Sequence, residues 1–171
     1  MSRWDRMEVQ EAHSGRAYLG GLIATIGVTL LMYVASLAGL PVAKMPDILA
    51  RVITFNEPFI KGGSTLWFCG LLVYLVSTII FIPGVYAYWM YSFFHGAPWL
   101  RGLQLGIGMW LLVQLWFMPL MGQNVFDVNG PHPAIEMSSQ LILWLLYGAM
   151  LGNIAGPQQV WRARPHREYN A

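Results

Sequence analysis

The sequence predicts an all-α integral membrane protein with four transmembrane helices in a bundle. Three observations predict it. Only 11% of the 171 residues are charged and 56% are apolar, whereas about 25% of a soluble domain is charged. The charges gather in the terminal segments and in short connections. Between them lie apolar runs of the roughly 20 residues that a helix needs to cross the hydrocarbon core. The chain reads as one membrane domain, 1–171. Its N-terminal segment, 1–15, and its tail, 157–171, are both expected in the cytoplasm.

The first span is read at 17–40. Its apolar run exceeds the roughly 7–15 residues of a signal-peptide core. Asp5, Glu8 and Glu11 also precede it, so it is expected to be a membrane helix rather than a cleaved leader. The connection "MPDILARVITFNEPF" places Ile48, Leu49, Val52 and Ile53 at helical spacing, with Asp47 and Arg51 opposite. That pattern predicts a short amphipathic helix lying on the membrane.

The second span is read at 64–86. Pro83-Gly84 is expected to kink or end it. The aromatic stretch "VYAYWMYSFF" would continue to residue 94 at the membrane–water interface, which Tyr and Trp favour. Cys69, the single cysteine, is expected to be a small buried hydrophobe. The third span is 102–121. The connection "GQNVFDVNGPHP" is turn-rich, and the fourth span is 135–155.

Positive charge sets orientation. Arg3, Arg6, Arg16, Arg101, Arg162, Arg164 and Arg167 fall on one side; Lys44, Arg51 and Lys61 fall on the other. Seven against three predicts that both termini are cytoplasmic. Trp99 and Trp161, with Tyr18, would form a cytoplasmic aromatic belt, and Trp67 and Trp116 an outer one.

Glycine weakens a helix in water by about 1 kcal/mol relative to alanine. In lipid it lets backbones approach, because helices there associate by close van der Waals contact. Gly148, Gly152 and Gly156 share a face of the fourth span, Gly102 and Gly106 of the third, and Gly20, Ala24 and Gly27 of the first. All three faces lie in the half-membrane expected to be cytoplasmic. That half should be tight and the outer half bulkier. Each face packs within the bundle or receives a partner helix.

No Asp, Glu, Lys, Arg or His lies in the central part of a span, where a proton relay or ion pathway would place one. His13, His95, His132 and His166 lie outside the spans, so no haem is expected on this chain. No catalytic or phosphate-binding motif is present. Glu57, Asp127, His132 and Glu136 read as a solvated rim, and no metal site is expected. No basic stripe suggests nucleic acid. The polar residues Gln104, Gln114, Gln140 and Asn153 read as helix-to-helix bonds or as contacts for a neutral solute. Trp110 and Trp144 are deep enough to line a quinone or lipid groove.

The stretches "WLRGLQLGIGMWLLVQLWFMPLMG" and "LLYGAMLGNIAG" resemble a family of small bacterial four-helix membrane proteins of unassigned function. These are often encoded near haem-copper respiratory oxidase components. The shared features are Arg101-Gly102, Met118-Pro119 and the Tyr-Gly-Ala-x-x-Gly that begins at Tyr147. The aromatic second connection and the Arg-rich tail depart from that pattern. The lack of intramembrane charge, the abundant helix-contact faces and the aromatic bulk able to meet a partner point to a non-catalytic accessory subunit of a larger inner-membrane complex; the resemblance implies that this complex is a respiratory terminal oxidase, with haem only in a partner subunit. The other two readings are a homo-oligomeric transporter or channel for a neutral solute, and a quinone- or lipid-binding protein.

Overall fold

The computed structural model describes residues 14–40, 42, 44–53, 64–94, 96–120, 125–127 and 132–156. Among these, all regular structure is helical. Four helices are long and apolar enough to cross a membrane: α1 (Ser14–Leu37), α3 (Thr65–Phe93), α4 (Pro98–Leu120) and α5 (Pro133–Ala155). Between α1 and α3 lies the short α2 (Met45–Ile53).

Local chemistry sets the helix ends. Gly39 adopts the left-handed conformation at φ +83° just after α1, the backbone state glycine supplies most readily at a helix end. The Ser64 hydroxyl accepts the Trp67 backbone N–H at 3.2 Å and caps α3. Pro98 and Pro133 begin α4 and α5, where a missing N–H costs nothing and φ is already helical.

α5 makes the most extensive contacts, with α4 on one side and α1 on the other. The core of the described residues includes Met32, Tyr74, Tyr86, Leu105, Leu143, Tyr147 and Leu151. Leu30, Val34, Phe68, Leu72, Ile80, Leu115 and Ile142 face outward, as lipid-facing positions of a spanning helix do. α2 is amphipathic, but it does not rest on its apolar face alone. Met45 and Ile48 are buried, and α2 packs closely on α3. Gly70 leaves room there: a Cβ on it would lie 2.6 Å from the Ala50 Cβ. The Trp67 indole donates to Asp47 Oδ1 at 2.8 Å and ties the two helices together.

The second span continues through Pro83-Gly84, which does not end it. α3 runs unbroken from Thr65 to Phe93, because wider π turns at Ser77–Phe81 and Tyr86–Met90 flank the proline. Cys69 is exposed on the outer face of α3, not buried. α3 is the least buried of the spans, so an apolar residue near its start meets the surroundings and not the core.

Candidate functional site: a seam between the last two spans

The glycines of α4 and α5 meet each other. A Cβ on Gly102 would strike the Gly148 carbonyl, and one on Gly148 would strike the Gly102 carbonyl. At Gly106 the obstacle is the Trp144 carbonyl at 2.5 Å; at Gly152 the Gly102 Cα is 2.8 Å away. Gly156 abuts Pro98. The backbones touch, so no larger residue fits without separating the helices.

The seam has a register. Along α4, steps of four give Pro98, Gly102, Gly106, Trp110 and Gln114. Along α5, steps of four backwards give Gly156, Gly152, Gly148, Trp144 and Gln140. Small residues occupy one end and bulky or polar ones the other. At the far end the Gln114 amide Nε2 donates to Gln140 Oε1 at 2.8 Å, and both side chains are buried. The fully buried Gln114 Oε1 and the indole N–H groups of Trp110 and Trp144 have no partner. Trp110 packs at 5.8 Å against Phe126. Phe126 holds a left-handed φ of 61°, a strained state for a bulky side chain.

The face of α1 turns to α5. A Cβ on Gly20 would lie 3.2 Å from Ile154 and Leu151, and one on Gly27 3.3 Å from Met150. Ala24 is fully buried. The small faces read from the sequence are therefore all engaged within this chain, at the same end of the bundle.

The four amides do not converge. Gln114 and Gln140 are paired inside, whereas Gln104 and Asn153 lie on exposed faces. Trp144 borders a cavity of about 20 Å³ with Val28, Met45, Tyr74, Thr78, Leu143 and Tyr147, room for about one water. Of the polar rim, His132 is exposed and Glu136 half-buried at the start of α5. Glu57 and the Asp127 side chain lie outside the described residues. No cluster of metal-ligating side chains occurs among the described residues.

A second close approach was not read from the sequence. Ile82 N–H bonds to Ser77 O in π register. The next donor in that register would be Pro83, which has no N–H. The Thr78 carbonyl left over is taken by the Tyr147 hydroxyl of α5. Gly21 of α1 lies against the same point: a Cβ there would strike the Pro83 ring and come within 2.9 Å of the Thr78 carbonyl. Nearby, Thr29 and Tyr74 share a hydroxyl–hydroxyl bond of 2.9 Å. The available signal was Pro83 itself, since a proline within a span leaves a carbonyl for a neighbouring helix to satisfy.

Four spanning helices closed by a glycine seam define a small multi-pass membrane protein. Its chain belongs to the family of unknown function DUF6789, whose profile matches residues 12–164. No curated protein and no solved structure matches it.

Proposed function

We propose that this protein is a non-catalytic accessory subunit of a larger membrane complex, docked through the outward face of α3. The observation that carries this reading is α3 itself. It is the longest span at 29 residues, and only 22% of its apolar window is buried within the chain. Its outward residues include Phe68, Leu72, Ile80, Phe81, Trp89 and Phe93. It carries two π segments, against one in α4, and such segments in helices are frequently found at functional positions. The glycine faces are engaged within the chain, so the partner surface is placed on α3, the least buried span. The resemblance of the last two spans directs the proposal to a respiratory terminal oxidase of a bacterial inner membrane. The arginine distribution supports cytoplasmic termini.

The test is extraction of the tagged protein in mild detergent, with mass spectrometry and a visible spectrum of what accompanies it. Stoichiometric oxidase subunits and a haem spectrum from the partner are expected. Phe81→Ala with Trp89→Ala should lower the yield of partner severalfold, and Leu30→Ala on the outward face of α1 should not. A colourless protein recovered alone, after gentler extraction as well, overturns the proposal.

A further inference from the structure

We propose that the end of the bundle at Arg101 binds the phosphate of an anionic phospholipid headgroup. Arg101 is half-buried where α3 turns into α4. Its Nε donates to the Gly96 carbonyl at 3.0 Å and its Nη1 to the Tyr91 carbonyl at 3.3 Å. The guanidinium carbon lies 4.4 Å from the centroid of the Tyr91 ring. These contacts fix the plane of the group, and both acceptors are neutral carbonyls. Among the described residues no carboxylate meets it. Asp47 and Glu136 belong to the opposite end of the bundle, whereas Arg16 stands at this one.

Three further features fit an anion here. The first turn of α4 presents backbone N–H groups, and the preceding Ala97 supplies no side-chain cap; helix N-termini favour negative charge. Below Tyr91, edge-on at 5.7 Å, lies Tyr86, a fully buried residue whose hydroxyl has no partner. Around the site Tyr88 and Trp99 are exposed. Such aromatics settle at the depth of lipid headgroups, which places the guanidinium at phosphate level. A planar guanidinium also matches phosphate oxygens geometrically. A zwitterionic lipid carries the same phosphate but neutralises it with its own ammonium, so the site should select lipids with net negative charge. This inference does not depend on the accessory-subunit reading.

The experiment is native mass spectrometry of the full-length protein in mild detergent. Phosphatidylglycerol and phosphatidylcholine are supplied at equal concentration. Wild type should retain phosphatidylglycerol preferentially. Arg101→Gln should reduce that preference roughly tenfold, Arg101→Lys should keep part of it, and Tyr86→Phe should give a smaller loss. Equal retention of the two lipids by wild type overturns the proposal without any variant. So does an unchanged preference in Arg101→Gln. Displacement of phosphatidylglycerol by millimolar inorganic phosphate would show a site for free phosphate and overturn the assignment to lipid. If Arg101→Gln loses its helical circular-dichroism signal, Arg101→Lys and Tyr86→Phe decide, and an unchanged preference in both counts against it.

Discussion

The α4–α5 seam and the α1–α3–α5 junction at Pro83 bring helices together by opposite means. At the seam, side chains are absent. Gly102, Gly106, Gly148 and Gly152 let one backbone rest on another, and each helix keeps its own hydrogen bonds. At the junction a backbone bond is absent. Pro83 leaves the Thr78 carbonyl open, a tyrosine from another span fills it, and Gly21 makes room for the ring. The first device depends on shape alone. The second depends on one hydroxyl, so it should tolerate change differently.

The sharpest way to break that contrast is at the seam. Gly102→Leu sets a side chain against the Gly148 backbone, which cannot yield as a flexible side chain can. The cost should exceed about 3 kcal/mol. Thermal unfolding in detergent, followed by circular dichroism, should show the variant unfolded or aggregated. Gly108, in the same helix, has nothing within 4 Å of an added Cβ, and Gly108→Leu should stay within about 1 kcal/mol of wild type. Equal damage at both positions would mean that the backbones do not touch.

At the junction, Tyr147→Phe should cost about 1 kcal/mol by leaving the Thr78 carbonyl unbonded. In a Pro83→Ala background the backbone N–H returns and the same change should cost less. A double-mutant cycle isolates that coupling. Additive effects would show that the hydroxyl does not replace the proline's missing bond.

An effect of similar size is expected at the Gln end of the seam. Gln114→Leu leaves the Gln140 amide without its buried partner and should cost about 1 kcal/mol. Adding Gln140→Leu should recover part of the loss, because two apolar partners need no bond. If the double variant is worse than the single one, the pair contributes more than mutual satisfaction.

The number and order of spans were legible because a bilayer imposes length and apolarity on any helix that crosses it. The faces of Gly102, Gly106, Gly148 and Gly152 were legible from spacing by four. What each face meets was not, since spacing within one helix says nothing about its neighbour. One signal did exist: glycine, glycine, tryptophan and glutamine along α4 recur in reverse along α5, as an antiparallel pair requires. Gly21 was hidden beside Gly20, because neighbouring glycines on a helix point to different faces and only the fold separates α5 from α3 as their targets. Cys69 misled for a related reason: in a membrane, apolar surroundings do not imply an interior position.

The order of residues along the seam also acts as a stop. A track made only of glycines could slide, since every four-residue step resembles the next. Here one step of slippage would drive Trp144 towards Gly102 and pull Gln114 from its partner. A turn of helix is about 5.4 Å, so such a slip would lift Arg101 by much of the thickness of a headgroup layer. The bulky end of the seam therefore sets the depth at which the charged end meets the membrane surface.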